Sequence, residues 1–101
     1  SLNLRGNGIT MNGLEPLFHS EKLVSLFEIN LSRNRIMDAD IAMMLNSPLF
    51  PQLRTLVLTD TKITDQSAKI LADHPNSRFL TRLSLAYNAI TEEGIAALAF
   101  N

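Results

Sequence analysis

Leu83-Ser84-Leu85-Ala86-Tyr87-Asn88-Ala89-Ile90 reads L-x-L-x-x-N-x-I, and the same spacing returns at Leu2/Leu4/Asn7/Ile9, Ile29/Leu31/Asn34/Ile36 and Leu56/Leu58/Thr61/Ile63. The four copies stand 27 residues apart without drift. A fixed period between about 20 and 50 residues marks a chain of stacked structural units. Alternating Leu-x-Leu is the period-2 pattern of a half-buried strand. Strands are therefore expected to centre on residues 2–4, 29–31, 56–58 and 83–85.

Outward from each copy the chain turns and becomes helical. Apolar residues at i, i+3 and i+4 form one inward stripe per unit: Leu14/Leu17/Phe18, Ile41/Met44/Leu45, Ala68/Leu71/Ala72 and Ile95/Leu98/Ala99. Each helix is expected to make about three turns. Asp38 or Asp40, Thr64 and Thr91 are expected to cap the last three, with Asp65, Glu92 and Glu93 suiting the N-terminal dipole. Pro16 fits best at a first helical position, which predicts that the first helix starts late, near Glu15 or Pro16. Asn46-Ser47-Pro48 and Asp73-His74-Pro75-Asn76-Ser77 end two of the helices.

One such unit cannot bury both its strand face and its helix stripe, so neighbours must stack. Parallel strands lie about 4.8 Å apart and helix axes about 8–10 Å apart, so the stack is expected to curve with its sheet concave. The asparagine column has a separate task. Its side chain carries donors and an acceptor that can satisfy inward-facing turn backbone, which the hydroxyl of Thr61 does only in part.

The pattern L-x-x-L-x-L-x-x-N-x-I-T with its capped helix resembles leucine-rich repeats, best in Leu80–Gly94, and the helix length and period resemble the ribonuclease-inhibitor-like subclass. The departures are Thr61, Ile29, and Asp40 and Ser67 where Gly13 and Gly94 stand. The resemblance implies an α/β fold: a right-handed βα solenoid of about four repeats, curved parallel sheet on the concave face and helices on the convex face. Residues 1–101 read as a single repeat domain, expected to be a segment of a longer repeat protein. Related repeats serve as inhibitors, immune sensors, actin-capping modules, GTPase activators and bacterial effectors, so the resemblance specifies fold far more than function.

By that geometry the outward strand positions and ascending turns form a partner-binding surface: Arg5, Glu28, Asn30, Arg33, Arg35, Thr59, Asp60, Lys62, Arg82 and Tyr87. Its five cations face only Glu28 and Asp60, while Asp38, Asp40, Asp65, Asp73, Glu92 and Glu93 fall on the helix side. The expected partner is another protein with an acidic patch. Two other readings stay open: a GTPase-activating repeat protein that lends an arginine, and a structural spacer. Apolar repeat ends add an expectation of end-to-end self-association.

Chemistry is harder to read into this chain. It has no cysteine and a net charge of −1, which removes thiolate zinc sites and Cys nucleophiles and gives no bias toward nucleic acid or membrane. His19 and His74 stand two repeats apart, too far for one metal, and are expected at helix C-termini, where a cationic imidazole is favourable. Acidic pairs at helix starts read as caps and dipole partners, and no phosphate-binding glycine loop occurs. No enzyme, cofactor or metal is expected. The cysteine-free composition leans toward an intracellular, cytoplasmic setting, and secretion of the parent protein as an effector fits it too.

Overall fold

Alternating leucines put every second side chain on one face of a strand, and the 27-residue period fixes which strand lies beside which. In the computed structural model, which describes residues 2–6, 8, 10–20 and 25–99, this pairing is realised as a parallel sheet. Strands β1 (Leu2–Asn3), β2 (Glu28–Asn30), β3 (Thr55–Val57) and β4 (Arg82–Ser84) run in the order β1-β2-β3-β4. Leu2 pairs with Ile29, Ile29 with Leu56, and Leu56 with Leu83. The strands of the last three repeats begin and end one residue earlier than expected. The ladder nevertheless runs on: the N–H groups of Leu31 and Leu58 donate to the carbonyls of Val57 and Ser84 at 2.9 Å.

Helices α1 (Met11–Phe18), α2 (Asp38–Leu45), α3 (Asp65–Asp73) and α4 (Glu92–Ala99) follow the strands, and each packs on the next. They hold eight or nine residues, just over two turns rather than three. The late start expected for α1 is wrong. It begins at Met11 like its counterparts and keeps Pro16 inside. Pro16 is exposed and lies in the final turn, so the carbonyl freed at residue 12 sits on the outer side of a helix that is about to end. Short 3-10 turns at Phe50–Gln52 and Pro75–Phe79 lead back into β3 and β4.

The core is a set of columns. Ile29 and Leu56, Leu31 and Leu58, and Ile36 and Ile63 are buried from the strand and turn side, against Leu14, Ile41 and Ala68, Phe18 and Leu45, and Met44 and Leu71 from the helices. Phe50 and Leu53 fill the base. The fourth repeat departs from the expected stripe. Ile95, in the column of Ile41 and Ala68, is 61% exposed, and Leu83, Leu85, Ile90 and Leu98 are only half-buried. Each column residue is covered by the repeat on either side, and α4 is packed on one side only among the described residues. The column residues Asn7, Ile9 and Phe100, and the side chain of Ala99, lie outside the described part.

Polar columns also tie the repeats together. Asn34 Nδ2 donates to the carbonyl of Leu4 at 2.7 Å in the preceding repeat and to that of Leu31 at 3.1 Å in its own. Asn88 does the same with Leu58 (2.7 Å) and Leu85 (3.1 Å), while its Oδ1 accepts from the N–H (2.8 Å) and hydroxyl (2.9 Å) of Thr61. Thr61 bonds the carbonyl of Leu58 in its own turn at 3.3 Å, and no bond from its side chain to the preceding repeat is found. Among the described residues no buried side-chain nitrogen or oxygen lacks a partner.

Of the two acids expected to cap α2, Asp40 takes the N-cap backbone and Asp38 turns elsewhere. Its carboxylate reaches the next repeat, accepting from the N–H (2.9 Å) and hydroxyl (2.7 Å) of Thr64 and from the hydroxyl of buried Ser67. Asp65 repeats the device one unit on, accepting from the N–H of Thr91 (2.6 Å) and from its hydroxyl. At the start of α2 the backbone N–H of Met37 is taken by Asp40 at 2.8 Å. Thr64 and Thr91 act as caps, accepting from the N–H groups of Gln66 (3.2 Å) and Glu93 (3.3 Å).

Candidate partner-binding surface

The chain leaves each strand through a turn whose tip is set by backbone, not side chain. Gly6, Arg33, Asp60 and Tyr87 occupy the same place in successive repeats, and all four have positive φ: 68°, 59°, 55° and 58°. The N–H groups of Gly6, Arg33 and Asp60 donate to the carbonyls of Ser32, Thr59 and Ala86 at 2.9–3.0 Å, so the sheet ladder itself holds the tips in this conformation. Glycine enters the left-handed region freely, whereas residues with a Cβ are strained there, Asp less so than most. Three repeats nonetheless place a large or charged side chain at the tip. Arg33, Asp60 and Tyr87 are all exposed, Tyr87 to 85%.

The ten expected surface residues are spread over several depressions of the surface and the ground between them. Arg33, Arg35, Asp60 and Lys62 share a cleft of about 460 Å³ with Gly8 and Asn34. Within it the Arg33 Nε lies 3.8 Å from the Asp60 carboxylate, an open ion pair. Glu28 and Asn30 line a separate depression of about 190 Å³ over β1–β3. Tyr87 borders an apolar cleft with Ile90 and Ile95. Arg82 faces a cleft with Arg78 and His74 at the other end of β4. Arg5 is exposed beside β1, its N–H bonded to Asn3 Oδ1 at 3.0 Å.

Asn30 and Thr59 are already engaged on the sheet surface. Asn30 Oδ1 accepts from the N–H of Ser32 at 3.0 Å, the Ser32 hydroxyl accepts from the N–H of Thr59 at 3.1 Å, and the Thr59 and Ser84 hydroxyls share a bond of 2.8 Å. This polar seam crosses three repeats. Its members offer a partner less hydrogen-bonding capacity than their residue types promise.

Three other titratable groups, Asp38, Asp65 and Lys69, bond between repeats. Burial alone would push the Asp38 carboxyl up, but hydrogen bonds from Ser67 and Thr64 outweigh it and hold the group below its ordinary 3.8. Hydrogen bonds from Thr91 do the same for Asp65, and Glu93, bonded at 2.5 Å, raises the exposed Lys69. His19 and His74 sit at the C-termini of α1 and α3 as expected. The Nδ1 of His74 accepts from the N–H of Asn76 at 3.0 Å, and its Nε2 lies 3.1 Å from Asn46 Oδ1. Among the described residues no three His, Asp or Glu side chains converge to hold a metal. No described helix is long and apolar enough to cross a membrane.

Sequence comparison meets this geometry at both ends of the sheet. The family model described as Leucine Rich repeat matches residues 1–18 and 76–99, which hold β1–α1 and β4–α4. Between them β2–α2 and β3–α3 keep the same register and period. Over those two segments, fewer than half of its residues, the chain is similar to leucine-rich repeats. Such repeats are generally protein-interaction modules and typically not enzymes. No curated protein matches the chain.

Proposed function

We propose that this leucine-rich repeat chain binds another protein through the outward face of its sheet and the adjoining turns. The observation that carries the reading is the turn-tip column. A left-handed backbone position favours glycine, yet Arg33, Asp60 and Tyr87 hold it and project into solvent. Local stability does not explain such choices. A contact made outside the chain does, and Arg and Tyr are residue types that anchor interfaces.

In this reading the repeats follow the ribonuclease-inhibitor-like plan, with the sheet on the concave side of a curved stack. The difference between strand spacing (about 4.8 Å) and helix spacing (about 8–10 Å) supports that curvature. The excess of Arg and Lys over Glu28 and Asp60 on this side supports a partner with an acidic patch. The setting that fits best is intracellular.

Site-specific photo-crosslinking tests the reading. A crosslinking side chain placed at position 60 should capture a discrete partner, and the same side chain at Gln66 on the helix side should not. Alanine at Arg33 or Tyr87 should then weaken capture from position 60 without lowering the melting temperature. Equal capture from both faces, or none from position 60, would sink the reading.

A further inference from the structure

The cleft between the second and third turns gathers charged side chains from two repeats. Arg35 and Lys62 stand in one column, one repeat apart, and the N–H of Lys62 donates to the carbonyl of Ile36 at 2.9 Å, which draws the two turns together. Both side chains are exposed, and neither has an ion-pair partner among the described residues. Arg33 is only loosely held by Asp60, since their side chains remain 60% and 58% exposed. Three cations therefore surround a single carboxylate. Gly8, one repeat earlier in the Arg35 column, leaves the mouth open: a Cβ there would meet nothing within 4 Å. The cleft is shallow and open to solvent, about 460 Å³.

We infer that this cleft takes a short acidic peptide segment of the partner, its Asp or Glu carboxylates on Arg35, Lys62 and Arg33. The inference rests on the protein-binding reading above and names the chemistry of its anchor. Charge complementarity selects an anion, and Asp60 selects which kind. Nucleic acid presents an unbroken run of phosphates and needs an unbroken basic track, which Asp60 interrupts between Arg33 and Lys62. A peptide carries backbone N–H donors between its carboxylates, so one N–H can face Asp60 while the flanking carboxylates meet the cations. Its lining side chains are charged or polar apart from Gly8, with the Asn34 amide turned onto backbone carbonyls, which favours a charged segment over an apolar one.

The probe is a short peptide of alternating Glu and Gly, titrated into the isotopically labelled chain and followed by amide NMR shifts. Saturable shifts are expected at residues 33–35 and 60–62, while those at Arg82–Ser84 stay small. Raised salt should weaken binding, and the double variant Arg35→Ala/Lys62→Ala should weaken it about tenfold or more. The Gln/Gly peptide should not bind. Shifts that do not saturate, equal binding of the Gln/Gly peptide, or tighter binding of oligo-dT or a phosphoserine peptide would overturn the inference. Capture from position 60 that depends on Tyr87 but ignores Arg35→Ala/Lys62→Ala would remove the acidic anchor and leave the protein-binding reading standing. Failure of capture at position 60 would remove that reading itself.

Discussion

Replacing Asp38 by alanine should cost far more than an acid at the first position of a helix normally would. Its dipole contribution to α2 is about 0.3–1 kcal/mol, but its carboxylate also accepts three hydrogen bonds from the next repeat. The Ser67 hydroxyl is fully buried, so stripping its acceptor costs about 1–3 kcal/mol. Thr64 is half-buried and water can replace part of its loss, which adds about 0.5–1.5 kcal/mol. The expected total is about 2–5 kcal/mol, a large share of the 5–15 kcal/mol typical of a domain. Urea unfolding at neutral pH measures it from the shift in midpoint at constant slope.

Two controls make the number specific. Asp38→Ala and Ser67→Ala should be strongly non-additive, because each removes the same bond. The pH dependence has a defined sign. The folded-state pKa of Asp38 lies below its ordinary 3.8, so its contribution is complete above 3.8 and is lost as pH falls through the folded value. The gap between the parent chain and Asp38→Ala should therefore narrow below about pH 3.8. A loss under about 0.5 kcal/mol, or simple additivity with Ser67→Ala, would show that the staple between repeats contributes little.

Three further substitutions probe the columns by the same unfolding assay. Leu58→Ala empties a fully buried position and should cost about 2–5 kcal/mol. Thr61→Asn should stabilise by about 0.5–1.5 kcal/mol, because the new amide can donate to Leu31 as Asn34 does to Leu4 and Asn88 to Leu58. Gly94→Ala should cost about 1–3 kcal/mol, since a Cβ there runs into the Asp65 carboxylate and Ile90. A neutral Gly94→Ala would place Asp65 elsewhere.

The strand pairing was legible because the register equals the period: Leu56 lies beside Ile29 and Leu83 for the same reason that all three recur. The caps at Thr64 and Thr91 were legible because a cap is local. The sequence left the cap of α2 open between Asp38 and Asp40, because an acid at a helix start satisfies a local rule and a long-range one equally well. The signal that separates them was present: Asp38 and Asp65 each stand 26 residues before a threonine, Thr64 or Thr91, and that threonine is followed three residues later by a small residue, Ser67 or Gly94. Ile95 was misread for another reason. Periodicity says which way a side chain points, and burial also needs a neighbour. The expected surface was right about exposure at Arg33, Arg35 and Lys62. It could not show that Asn30 and Thr59 are joined in a seam across the sheet, because that depends on rotamers in three repeats.

Gly6 was the overlooked pointer to the turn tips. A glycine in one repeat, aligned with Arg33, Asp60 and Tyr87 in the others, marks a place where the backbone is left-handed in all four. That leads to a prediction in which stability and binding move apart. A non-glycine residue there carries about 1–2 kcal/mol of strain, while glycine loosens the unfolded chain by about 0.4–1 kcal/mol. The side chains themselves add little to the fold. Tyr87 is 85% exposed, and the Arg33–Asp60 pair is open to solvent, where such pairs contribute about 0–1 kcal/mol. Tyr87→Gly and Arg33→Gly should accordingly leave stability unchanged or raise it by up to about 1 kcal/mol, while partner capture from position 60 falls. A β-branched Tyr87→Val should lower both, since valine is among the residues least able to adopt positive φ. Should either glycine variant unfold more easily than the parent by over about 1 kcal/mol, these side chains are holding the turns. The strained column would then be explained inside the chain, with no partner needed.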